Sequence, residues 1–307
     1  MPRAMQANRR PKDGKALIAM VGLAVAFLLY VAYLSAAASG FRVSEASLLC
    51  ATLIFYAGAG ALYLGFGATG AELCAKFASL ATGLGWIANS VAITLRWRDA
   101  GHPPFANLHE MLLCSVWTLA LLTLIAESKF GVRLIGAITM PLAIAGAVLM
   151  QFDRNGAHPL APLLQSNWLE IHVTLAILAY AACALSFALA ILFLIQDKIK
   201  TERLLPSAEL LDRLTYRTIC LAFPLLSLMI ATGAYWANQT WGSYWSWDPK
   251  ETWAAITWLV YALYLHLRIT IGWRGRKAAY FAVAGFVVVI FTFFGVTYFM
   301  HGQHIFS

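Results

Sequence analysis

Long apolar runs separated by short polar intervals dominate the chain. They cover roughly 16–38, 46–66, 73–95, 108–126, 132–150, 169–195, 218–237, 252–271 and 278–299. Each is close to the ~20 residues that a helix needs to cross the hydrocarbon core of a bilayer. The pattern predicts an all-α fold, a polytopic transmembrane helical bundle of about nine helices, in a single integral membrane domain over 1–307. No soluble domain, low-complexity tract or clear internal repeat interrupts it. Pro141 and Pro224 fall inside apolar runs, where a proline can break or kink a helix.

The polar intervals carry the orientation. Lysine and arginine are enriched on the cytoplasmic side of membrane proteins. With the N-terminus placed inside, only Arg42, Arg96, Arg98, Arg154 and Lys250 of the 22 basic residues fall outside. This asymmetry predicts N-terminus inside, C-terminus outside. The basic stretch, apolar run and Ala36-Ala37-Ala38 at the start resemble a secretory signal, but the run is long for one, so a retained helix is expected.

Composition agrees with a lipid setting: 61% of residues are hydrophobic and 12% charged, against about half and a quarter in soluble domains. The net charge of +8 is spread between apolar runs and forms no patch, so no nucleic-acid partner is expected. The five cysteines show neither CxxC nor CxxCH spacing. That argues against a thiol oxidoreductase, a zinc site or a c-type cytochrome, and leaves small buried hydrophobes.

All histidines except His266 lie at or near the outer side: His102, His109, His158, His172, His301 and His304. Segment 236–253 concentrates the aromatics: Trp236, Trp241, Trp245, Trp247 and Trp253, interleaved with Gly242, Asp248, Pro249 and Glu251. An interfacial belt explains one or two such rings per helix end; this density suggests a flat apolar platform with polar anchors. A large planar ligand suits it, and porphyrin iron takes imidazole as an axial ligand. His172 and His304, from different helices, could approach such a ligand from opposite faces. His266 lies about 20 Å along its helix from the platform. It is either hydrogen-bonded to a neighbouring helix or functional, since ionisable groups in a membrane are costly. Arg268 is expected to snorkel to the inner interface.

The stretch Trp241-Gly242-x-x-Trp245-x-Trp247-Asp248-Pro249-Lys250-Glu251-Thr252-Trp253 resembles the tryptophan-rich "WWD" segment of the haem-handling family of cytochrome c biogenesis. Tyr264-Leu265-His266-Leu267-Arg268, Asn107-Leu108-x-Glu110, Trp168-Leu169-x-x-His172 and Gly302-x-His304 are similar to its System II branch, the CcsA/ResC-type subunit. The likeness covers about 46–307. It implies that the chain binds haem b, carries it to the outer face and presents it to the CxxCH motif of apocytochrome c. It further implies one subunit of a holocytochrome c synthetase, working with a CcsB/ResB-type membrane partner in the bacterial inner membrane, with the haem site on the periplasmic face.

By the same resemblance His172 and His304 are the external axial ligands. Trp241, Trp245, Trp247 and Asp248 belong to the haem-binding loop 236–253, and His266 is a transmembrane ligand whose counterpart comes from the partner. Trp253 and His301 are further candidates. His109 stands where the family often has tyrosine, as a harmless substitution or an additional ligand. Lys250, Arg154 or backbone groups are candidates for the propionates.

Three other readings compete: a System I subunit that loads a haem chaperone, a cytochrome b subunit, and a transporter without haem. The terminal Gly302-Gln303-His304 favours System II. A cytochrome b places histidine pairs deep in facing helices, and here only His266 is deep. Transporters show midplane charges or broken helices, and no charged pair accompanies the prolines.

Overall fold

A computed structural model describes residues 44–152, 160–200, 204–300 and 302. The run 16–38, Arg154, His158, His301 and His304 lie outside the described residues. Eight long helices account for the rest: α1 (Glu45–Thr69), α2 (Glu72–Ala100), α3 (Leu108–Phe130), α4 (Gly136–Phe152), α5 (Asn167–Ile199), α6 (Ala208–Trp241), α7 (Pro249–Ile269) and α8 (Arg276–Phe299). The described residues contain no strand, so the expected all-α bundle stands.

Seven of the eight are long and apolar enough to cross a membrane. The eighth, α7, is rich in Trp and Tyr, whose polar tips lower its hydropathy, and carries Lys250, Glu251, His266 and Arg268. Large apolar side chains such as Ile54, Leu64, Leu221, Leu259 and Val287 cover the outside of the bundle. In water that surface would be a liability; in lipid it costs nothing, because the tails are as apolar as leucine.

The helices outrun the apolar runs. α5 and α6 extend to 33 and 34 residues, because the backbone ladder continues past the lipid edge into water. α6 begins with the polar turns around Glu209 and Arg213. Both prolines sit inside continuous helices, Pro141 in α4 and Pro224 in α6.

α5 is the most enclosed helix, packed chiefly on α6, α8 and α3. Its Ala176, Ala179, Ala182, Ala188 and Ala190 are buried, and such small residues let neighbouring backbones approach closely. Of the cysteines only Cys183 is buried; Cys50 and Cys220 are exposed on the bundle surface, which departs from the buried-hydrophobe expectation.

At one end of the bundle the N-termini of α5 and α7 meet the C-termini of α6 and α8. At the other, Arg268 donates two hydrogen bonds to Asp212 at 2.8 and 2.5 Å, and Gly275 N–H donates to Asp212 Oδ1 at 3.0 Å. Arg268 therefore does not snorkel: its guanidinium is tucked between α6 and α7, with the Tyr216 ring 5.1 Å away.

Candidate functional site

The first end of the bundle holds an open cavity of about 190 Å³. Its walls come from the loop before α3, the first turns of α5 and α7, the last turns of α6 and α8, and the short α6–α7 loop. Most of the lining is apolar, including Phe105, Leu169, Val173, Met229 and Phe293. The polar groups are few: Asn107, His172, Tyr180, Tyr244, Lys250, Glu251, Thr292 and Thr297. Ligand sites have this make-up, an apolar container with a small number of orienting groups.

His172 is the best-determined of these. It sits on the second turn of α5, and its Nδ1–H donates to the Met229 carbonyl of α6 at 2.7 Å. A carbonyl only accepts, so Nδ1 carries a proton and donates it. The imidazole lies flat against α6 because residue 233 has no side chain. A Cβ on Gly233 would stand 2.6 Å from both Cε1 and Nδ1 of the ring. Metal-binding histidines use this arrangement, in which a carbonyl holds the far nitrogen and so fixes tautomer and orientation. The sequence reading singled out His172 but missed Gly233, whose only signal is a glycine inside an otherwise helical pattern.

The tryptophans do not form one loop. α6 continues through Trp241 and α7 starts at Pro249, so only residues 242–248 are irregular. Trp245 lines the cavity. Trp241 packs behind it, edge-on to the buried Trp236 at 4.9 Å. Trp247 stands 76% exposed on the outer surface, edge-on to Trp245 at 5.8 Å. Trp253 faces away, packed on Phe291 at 4.3 Å. The flat platform is thus corrected to a corrugated rim, since edge-to-face packing suits the ring quadrupoles better than coplanar rings.

Asp248 is a structural anchor. Its Oδ1 accepts from Lys250 N–H at 2.9 Å, and Glu251 returns a bond to Asp248 N–H at 3.3 Å, closing a capping box at the start of α7. Glu251 Oε2 also accepts from Ser246 N–H at 2.8 Å. These bonds hold Trp247 at φ 60, a left-handed conformation that is strained for a bulky residue. A Cβ on Gly302 would collide with Asp248 Oδ2, so Gly302 lies directly against this cap. α8 reaches it through a π-helical turn at Phe291–Gly295, a distortion frequent at functional sites. The turn presents Thr292 and Phe293 to the cavity, and Thr292 shares a 2.7 Å hydrogen bond with Thr257 of α7.

His109 is not in the cavity. Its Nε2 lies 2.8 Å from Glu45 Oε1 and its Nδ1 3.1 Å from the Met150 carbonyl, so both ring nitrogens are engaged by protein. The additional-ligand reading is thereby set aside. His266 lies at the other end of α7, about 24 Å along the axis from Lys250. Among the described residues its side chain is exposed, with Nδ1 3.4 Å from Thr270 Oγ1. Among the predicted site residues the structure brings His172 and Trp245 to the cavity, with Asp248 and Trp241 directly supporting its walls.

A family model described as cytochrome c assembly protein matches residues 105–304. The cytochrome c biogenesis protein CcsA of Mesostigma viride is 39% identical over 246 residues, covering 70% of this chain and 81% of that protein. CcsA of Microcystis aeruginosa is 39% identical over 264 residues, covering 68% and 80%. Among solved structures, the cytochrome c haem lyase CcmF superposes with a TM-score of 0.64 at 19% identity, over 86% of this chain. The chain spans 48% of that protein, and the likeness is one of fold.

Proposed function

The chain belongs to the cytochrome c assembly family as a System II, CcsA-type cytochrome c biogenesis protein of the membrane, and from that premise we propose that it holds haem b in the His172 cavity and presents it to apocytochrome c. The observation that carries this reading is the His172 ring, seated on Gly233 with its Nδ1–H on the Met229 carbonyl. A histidine held so firmly in orientation at the wall of an apolar cavity has the setting of an iron ligand.

Each part of the cavity has a task in this account. The apolar walls take the porphyrin ring and exclude water, which helps to guard the ferrous state. Lys250, in the first turn of α7, offers a cation to the propionates. Trp245 and Tyr244 form the rim past which the CxxCH segment of apocytochrome c docks from outside. His304 would be a second ligand of the iron, a role supported by its match to the family's terminal Gly302-x-His304. When the peptide's own histidine displaces one ligand, its thiols add across the vinyl groups. The chain's contribution is position and orientation, and the bond-making is intrinsic to haem and thiol.

We assign His266 to the cytoplasmic end, as a ligand on the inward route. Its exposed position on α7 supports completion of that site by a CcsB/ResB-type partner chain. We assign the cavity to the outer face of the bacterial inner membrane, and the distribution of lysine and arginine supports that sidedness. A strain lacking the native gene and complemented with His172→Ala tests the proposal. It should lose mature c-type cytochrome, with the variant still present in the membrane. Normal maturation would remove His172 from the mechanism.

A further inference from the structure

One cavity wall is a loop, and helix packing does not explain what holds it. Phe105, Ala106 and Asn107 precede α3, and all three line the cavity. Ala106 N–H donates to Glu110 Oε2 at 2.8 Å, and Asn107 Oδ1 accepts from Glu110 N–H at 3.0 Å. Glu110 is 1% exposed, and its Oε1 accepts from Arg96 Nε at 2.8 Å. Beyond Arg96 the network continues. Arg96 stands 3.6 Å from Glu45 Oε2, and the other oxygen of Glu45 meets His109 Nε2 at 2.8 Å. His109 Nδ1 reaches the Met150 carbonyl at 3.1 Å. Four helices, α1 to α4, are tied to the loop by this one chain of contacts.

The hydrogen-bond inventory decides the charge on His109. A neutral imidazole has one N–H and one lone pair. Here both nitrogens face oxygens, a carbonyl and a carboxylate. A neutral ring would press its lone pair against one of them. The imidazolium donates to both. Among the described residues it also sets one guanidinium and one imidazolium against the two carboxylates. Balance matters because Arg96, Glu110 and His109 are all buried, and uncompensated charge is costly there.

We propose that His109, as an imidazolium, is a positioning residue for the cavity: it neutralises Glu45, leaves Arg96 to Glu110, and so lets Glu110 hold the Ala106–Asn107 wall against haem. This rests on the reading of the cavity as the haem site. The groups facing His109 are Glu45 of α1, with Arg96 of α2 behind it, Glu110 on its own helix, and the Met150 carbonyl of α4. Without the imidazolium, Glu45 and Glu110 compete for Arg96, and the wall loosens although no haem contact has changed.

The test compares haem release from the purified protein with its partner, native and in three variants, using an apo-globin trap. His109→Gln leaves an extra negative charge and should release haem faster, by about fivefold or more. Glu45→Gln removes the carboxylate that requires the imidazolium and should stay near the native rate. The double variant His109→Gln/Glu45→Gln is balanced again and should recover most of the loss. Should His109→Gln not accumulate, recovery is read as restored accumulation with bound haem in the double variant. A native release rate in His109→Gln, or a double variant no better than His109→Gln, overturns the proposal. Native protein without haem instead overturns the underlying reading of the cavity.

Discussion

Substituting Gly233 separates the seating of His172 from its mere presence. A Cβ added there lies 2.6 Å from Cε1 and Nδ1 of the imidazole, whereas carbon atoms pack at about 3.5–4.0 Å. The ring must therefore withdraw by about 1 Å. The Nδ1–Met229 bond, now 2.7 Å, would pass beyond hydrogen-bonding distance. Losing such an outer partner of a metal ligand weakens metal binding by about 10–100-fold. The backbone effect on folding has the opposite sign. Gly233 has no left-handed φ, and alanine in a helix interior is favoured over glycine by about 1 kcal/mol. Gly233→Ala should thus weaken haem binding by at least about tenfold with little net change in melting temperature, the helix preference offsetting the lost hydrogen bond. Titration of the haem-stripped protein, followed by absorption and paired with a circular dichroism melt, reads both. Binding within twofold of native would refute the claim that Gly233 seats the ligand.

Three further outcomes follow from the geometry. Glu251→Ala removes the return bond of the α7 capping box and the anchor of Ser246, a cost of about 1 kcal/mol; hydrogen exchange should quicken at the Ser246 and Asp248 amides and stay unchanged in α5. Trp247→Gly relieves a left-handed backbone that costs a bulky residue about 1–2 kcal/mol and deletes a mostly exposed indole, so the melt should hold or rise while cytochrome maturation falls; a clear drop in the melt would mean that the indole's packing outweighs the strain. At the far end, Asp212→Asn leaves the half-buried Arg268 without its counter-charge and should destabilise the fold by about 1–2 kcal/mol, with Asp212→Asn/Arg268→Met recovering a large part of it in denaturation experiments.

Hydropathy made the membrane class and the eight described helices legible, seven of them long and apolar enough to span, because crossing lipid demands length and apolarity of each segment independently. Partner geometry is another matter. His109 and Glu45 are 64 residues apart, and only folding reveals that they form a pair. Trp241 and Trp253 read as loop residues because their density suggested a platform, yet both are helical. The start of α7 was in fact encoded locally, by Asp248, Pro249 and Glu251 in the order of a capping box with proline at the first helical position. Arg268 was expected at the interface because no single run discloses that Asp212 waits on the next helix. His172 was found by its position at an outer helix start, whereas Gly233 looked like any small residue in a membrane helix.

The most direct test of the central claim is a reduced-minus-oxidised absorption spectrum of the detergent-purified protein co-expressed with its partner, beside the His172→Ala variant. The account predicts a b-type haem signal in the native complex that is strongly diminished in the variant, with both preparations folded and partner-bound. A folded native complex without haem, or a signal untouched by the substitution, would contradict it.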